Sequence, residues 1–149
     1  MRHYLKLGAD PNRKDVNQRT PLDLSKDKFC RKVLSNLNEA AYTCDNRNLK
    51  FLVNCGNKIN DKLSIFGEAP IHKAVLSNKA ENTETLKAII ESEADIENID
   101  SNGWSALHHA CYKGDYNAAL VLLNSGANAN SFSNFKKTPL HLAALNNNY

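Results

Sequence analysis

His108, His109 and Cys111 stand together as His-His-Ala-Cys, three residues of the types that hold zinc. On a helix, adjacent side chains point about 100° apart, so His108 and His109 cannot chelate one ion together. Glu91 and Asp95 are spaced to share a helix face, as a carboxylate pair for acid–base chemistry would be. The apolar pattern ends that helix before Asp95, and no nucleophile or oxyanion-stabilising group accompanies the pair. Cys44 and Cys55 are candidate reactive thiols, but the sequence places no base beside either. No G-x-G-x-x-G or G-x-x-x-x-G-K phosphate loop occurs, and no Ser/His/Asp set can be assembled. The expectation is a chain with no catalytic residue, no metal and no cofactor.

Composition narrows the class further. A chain of 149 residues, 42% hydrophobic and 23% charged, is long enough for one globular domain with its own core. The apolar runs reach only six residues, as at Ala118 to Leu123, whereas a membrane span needs roughly 20. Membrane insertion is not expected. Met1 is followed by Arg2, His3 and a mixed polar stretch, without the apolar region of a secretory signal. The net charge of +3 is too mild to imply nucleic acid. Its distribution is uneven: residues 1–60 hold 12 Lys/Arg and 6 Asp/Glu, and residues 61–149 hold 7 and 10. The cysteines at 30, 44, 55 and 111 form no C-x-x-C pair or short-loop framework. They read as reduced thiols in an intracellular, cytoplasmic protein.

Internal repeats dominate the sequence. Asn102–Asn130 reads NGWSALHHACYKGDYNAALVLLNSGANAN; Phe66–Glu97 begins FGEAPIHKAV and ends AIIESEADIE; Lys137–Tyr149 reads KTPLHLAALNNNY. Pro70, Ala106 and Pro139 take equivalent places, 36 and 33 residues apart. Each unit predicts two helices and a hairpin-like loop. Thr138 suits an N-cap and Pro139 the first turn. Leu140, Ala143 and Ala144 follow at helical spacing and give a small apolar face. Second helices show the same period at Leu49, Leu52 and Val53, at Leu86, Ile89 and Ile90, and at Ala119, Leu120, Leu122 and Leu123. Gly8, Gly56 and Gly126 stand just past such helices, where a left-handed residue is wanted. Glu93 takes that place in the unit at 66–97, which also has three extra residues between its helices, and Cys44 takes the place of Gly114.

These units resemble ankyrin repeats, through T-P-L-H near a helix start and G-A-D-x-N at the end. The resemblance implies an all-α solenoid over 1–149: a partial repeat 1–19, a shortened repeat 20–35, repeats 36–66, 67–102 and 103–135, and a partial repeat 136–149. Both ends fall within a repeat, so the chain reads as an excerpt of a longer protein with fraying ends, and a kink in the stack is expected at 20–38. The resemblance also makes His72, His108 and His141 structural residues bonded to backbone near the turn, leaving His109 for the surface.

What it implies about function is non-catalytic recognition of a partner protein or peptide on the concave face, by a monomer. The contact residues carried over are Ser101, Asn102, Trp104, Tyr112 and Lys113 in the best-matched repeat. Asn134, Phe135, Lys137, Leu145 and Asn146 follow in the last, and Ile65, Phe66, Glu68, Leu76 and Ser77 in the unit at 66–97. Tyr42 and Thr43 belong to the unit at 36–66, and Val16, Asn17 and Arg19 to the shortened one. Phe66, Trp104, Tyr112 and Phe135 are expected to face solvent, where large aromatics serve as binding anchors; with Lys73, Lys113 and Lys137 they suit a peptide with apolar anchors and some acidic residues. Alternatives are a regulatory or substrate-docking module of a larger enzyme of kinase, acyltransferase or ubiquitin-ligase type, and a membrane-skeleton or channel-associated scaffold. Asn60 with Leu52, and Asn130 with Leu122, match the pattern at which ankyrin repeats are hydroxylated on asparagine.

Overall fold

The computed structural model describes residues 37–54, 58–62 and 64–146. The units expected at 1–19 and 20–35, the kink expected at 20–38 up to residue 36, Gly8, Gly56, Cys30 and Cys55 lie outside them.

Pro70, Ala106 and Pro139 each occupy the first position of a helix, as their equivalence in the sequence predicts. Seven helices form among the described residues: α1 (Leu37–Tyr42), α2 (Asn46–Asn54), α3 (Pro70–Leu76), α4 (Asn82–Glu91), α5 (Ala106–Lys113), α6 (Tyr116–Asn124) and α7 (Pro139–Leu145). Consecutive helices pair as α1 with α2, α3 with α4 and α5 with α6. First helices then stack as α1, α3, α5 and α7, and second helices as α2, α4 and α6. The result is the all-helical solenoid expected.

Small side chains make the stacking close. Ala40, Ala74, Ala110 and Ala143 take equivalent places in the first helices, and all are buried. Leu37, Ile71 and Leu107 fill the space beside them, and Leu49, Leu52, Leu86, Ile89, Ala118 and Leu122 supply the second-helix layer. Each repeat therefore buries its apolar side chains between its own two helices and against its neighbours. Leu120 and Leu123, expected in that layer, are exposed instead. In the preceding repeat the place of Leu120 belongs to Lys87, which is also exposed.

Backbone turns follow the repeat as well. Gly67 and Gly103 both have φ near +70°, and the turn they make is repeated at Lys136, a non-glycine with φ 53°. A methyl group on Gly103 would lie 2.5 Å from Asn134 Oδ1 and 2.7 Å from Asn134 N, so the next hairpin leaves it no room. Gly126 has the expected left-handed φ of 95°, and its counterpart Glu93 has φ 62°. Cys44 and Gly114 likewise share the left-handed region, at 54° and 73°. The backbone requirement thus persists where the glycine does not. The extra residues in the third and fourth helices' connection lengthen the loop 77–81, while α5 and α6 are joined through Gly114 and Asp115 alone.

Candidate functional site

The loops are held in register by a ladder of backbone and side-chain bonds. Asp100 N–H donates to Trp104 O at 3.0 Å, and Ile99 and Ser105 form an isolated antiparallel bridge. Asp100 Oδ1 accepts the N–H groups of Asn102 (2.8 Å) and Trp104 (2.9 Å), closing the loop from inside. Ser64 and Ser133 do the same work in the neighbouring loops, accepting from Glu68 N at 2.9 Å and Lys137 N at 3.2 Å. One loop then bonds to the next: Ser101 N donates to Phe66 O (3.0 Å) and Asn134 N to Asn102 O (3.1 Å).

Histidine joins the loops to the helices. His72 Nδ1 accepts the Ala69 N–H at 3.0 Å, and His108 Nδ1 accepts the Ser105 N–H at 3.2 Å. Because Nδ1 accepts, Nε2 carries the proton. His72 Nε2 donates to Asn98 O (2.9 Å) and Trp104 O (3.2 Å), and His108 Nε2 donates to Lys137 O (3.1 Å). Each ring therefore ties the start of its own helix to the loop of the following repeat. Both rings are fully buried, and burial pushes the His72 pKa down to about 4 and lowers that of His108. In α1 the equivalent residue is Asn38, whose Nδ2 donates to Glu68 O at 3.0 Å. Glu68, Trp104 and Lys137 are equivalent, so all three bonds end on the same carbonyl of the repeat.

His109 is not the surface residue that the sequence suggests. Its Nε2 lies 3.0 Å from Asp100 Oδ2, and its side chain is 11% exposed. The ring packs edge-on against His72 (5.7 Å between centroids) and Trp104 (5.0 Å). Burial lowers the His109 pKa against the opposing pull of Asp100. Trp104, half-buried, also meets Tyr112 at 5.3 Å. Trp104 is thus part of a ring cluster with His109 and Tyr112, and not the freely exposed aromatic expected.

The remaining nominated residues divide in two. Ile65, Phe66 and Phe135 are 92%, 61% and 71% exposed at the loop tips, and Tyr112 and Leu145 are exposed on the first helices. Ser101, Asn102 and Asn134 are exposed too, and Lys137 half-exposed. Others are engaged within the stack. Glu68 is buried, bound by Lys73 Nζ at 2.6 Å and Ser64 Oγ at 2.8 Å. Burial disfavours its charge, but these bonds outweigh that and hold its pKa below the usual carboxylate value. Lys113 Nζ reaches back to the end of α3, donating to Val75 O at 3.0 Å and to Ser77 O, with Asp115 3.8 Å away. Asn146 Nδ2 repeats that reach, to Tyr112 O at 2.7 Å. Ser77 is buried, and Tyr42 is exposed on α1 beside half-buried Thr43. Val16, Asn17 and Arg19 lie outside the described residues.

The carboxylate pair read from the sequence is not assembled among the described residues. Glu91 ends α4, and Asp95 lies beyond it with its carboxylate on Glu97 N at 3.0 Å. Among the described residues, no group of three His, Cys, Asp or Glu side chains could hold a metal ion, and no helix is long and apolar enough to cross a membrane. Cys44 Sγ lies 3.4 Å from Ser77 Oγ, and burial raises the Cys111 pKa, which works against reactivity there. Asn60 and Asn130 are exposed, but Asn60 Oδ1 accepts the Asp95 N–H at 2.8 Å, while Leu52 and Leu122 are fully buried.

Comparison with known proteins agrees with this architecture. The family described as ankyrin repeats (three copies) matches residues 37–133 and 81–149. Rabankyrin-5 of Mus musculus is 38% identical over 71 residues, 47% of this chain and 6% of its own length. The ankyrin repeat protein FPV244 of fowlpox virus is 34% identical over 143 residues, covering 93% of this chain and 17% of its own. Inversin of Mus musculus is 31% identical over 109 residues, 73% of this chain and 10% of its own. The chain thus spans a small part of the length of each of these relatives. On the repeated helix pairs, the shared histidine bridge and the family match, the chain belongs to the ankyrin repeat family.

Proposed function

We propose that this chain is a non-catalytic recognition module that binds a partner protein or peptide along the inner face of its helix stack. Ankyrin repeats in general are protein–protein interaction modules, and their relatives are typically non-enzymatic. The observation that carries the reading is the contrast in side-chain use. Alanine, leucine and histidine at the repeated positions lock the stack, while Phe66, Tyr112, Phe135 and Leu145 project from the loop tips and first helices. Exposed aromatic and aliphatic side chains grouped on one face suit an interface. Ile65, Ser101, Asn102, Asn134 and Lys137 would form its polar and peripheral contacts. Glu68 and Lys113 would act from behind, by fixing the loop and the helix end.

The stack would act as a monomer in the cytoplasm. Its repeat borders would fall at 36–66, 67–102 and 103–135, flanked by partial units. Asn130 would be a better acceptor for hydroxylation than Asn60, whose amide oxygen is already engaged by Asp95. A pull-down with the full-length protein, repeated with Phe135→Ala and with Leu145→Ser at exposed positions, tests the proposal. Loss of the captured partner with an unchanged melting curve supports it; full capture by both variants rejects it.

A further inference from the structure

Building on the recognition role just proposed, we infer that the groove takes an extended peptide segment that is apolar and uncharged over its middle and carries a carboxylate at the end lying on the last described repeat. The argument is one of charge. Three of the five basic groups that the groove could present are engaged within the stack. Lys73 is bound to Glu68 at 2.6 Å, Lys113 to the carbonyls ending α3 and near Asp115, and His109 to Asp100 at 3.0 Å. None is left to receive an acidic partner, which removes the reason to expect carboxylates along the whole groove.

What the middle offers instead is one apolar side chain per repeat. Tyr42, Leu76, Tyr112 and Leu145 take equivalent places at the ends of α1, α3, α5 and α7. Trp104 lies against Tyr112 and widens this row toward the loops. A charged side chain laid over these groups loses water without gaining a counter-charge, which is unfavourable by far more than burying a leucine or phenylalanine is.

The last repeat breaks the pattern. The place of buried Glu68 and of Trp104 is taken there by Lys137, next to exposed Lys136. Neither lysine makes an ion pair among the described residues. The face is therefore apolar along α3 and α5, carries the exposed carboxylate of Glu39 on α1, and is cationic at its far end, which gives a bound segment a direction.

Selection of phage-displayed random linear peptides on the 149-residue chain tests this. Enriched sequences should be apolar and uncharged centrally, with Asp or Glu confined to one end. Lys136→Ala with Lys137→Ala should weaken such a peptide about two- to fivefold at low salt and have no effect at high salt. Leu145→Ser, at an exposed position that spares the core, should weaken it under both conditions. Peptides lost on Leu145→Ser or Tyr112→Ala but acidic or basic throughout overturn the inference and leave the groove as the binding face. The same holds for apolar peptides insensitive to the lysine pair. Peptides that ignore every groove substitution, or no enrichment at all, overturn both.

Discussion

His72 offers a stability experiment with a defined pH signature. Its ring is fully buried, with Nδ1 on the Ala69 N–H and Nε2 on two carbonyls of the next repeat. Only the neutral ring can accept at Nδ1, and burial brings the pKa from 6.5 to about 4. A folded-state pKa below the unfolded one makes the contribution complete above pH 6.5; it is lost as pH falls toward 4. At about 1.4 kcal/mol per unit, the loss by pH 4.5 is about 2–3 kcal/mol from this ring. Other buried groups titrate in the same window, so the informative quantity is a difference between variants. His72→Asn keeps the bond to the Trp104 carbonyl, as Asn38 does to Glu68, and loses the bond at the helix start. It should cost about 1–2 kcal/mol at neutral pH. His72→Ala leaves buried donor and acceptor groups unpartnered beside a cavity and should cost roughly 2 kcal/mol more. Urea unfolding at pH 7.5 and 4.5 measures both. The wild type should lose about 2–3 kcal/mol more than His72→Asn between the two pH values. Parallel pH dependences would refute the buried neutral ring as the tie between repeats.

Other outcomes follow from the same geometry. Lys136→Gly and Glu93→Gly each relieve a left-handed non-glycine residue and should raise stability by about 1 kcal/mol, read as a higher melting temperature. Gly103→Ala should lower it by about 2 kcal/mol or more, since the methyl meets Asn134 at 2.5 Å; neutral behaviour would contradict the tight loop stacking. Leu122→Ala should cost about 2–5 kcal/mol and Leu123→Ala under about 1 kcal/mol in denaturant unfolding; equal effects would mean a wrong helix face.

Legibility in the sequence followed the range of the interactions. Pro70, Ala106 and Pro139 could be aligned because a helix start is a local signal repeated in register. The glycine and its replacements were equally readable: Glu93, standing where Gly126 stands, turned out to hold the same left-handed backbone. The role of His72 and His108 came through the family resemblance, and their bonds are those expected. His109 was misplaced because its burial depends on Asp100 and Trp104 in the adjoining loop, and on His72 in another repeat. The signal available was Asp100 itself, a carboxylate in a loop where the other repeats have serine. Lys113 looked like a free cation for the same reason: its acceptors are carbonyls 36 and 38 residues away, which no local pattern reveals. Leu120 and Leu123 fitted the helical period, but a period gives spacing and not which of two apolar faces is covered.

The account rests on the inner face being the one that a partner covers. Side-chain footprinting of the full-length protein, alone and with its captured partner, measures this directly. Protection should appear at Trp104, Tyr112, Phe135 and Leu145, with Tyr116, Leu120 and Leu123 on the second-helix side unchanged. Protection confined to Tyr116, Leu120 and Leu123 would contradict it.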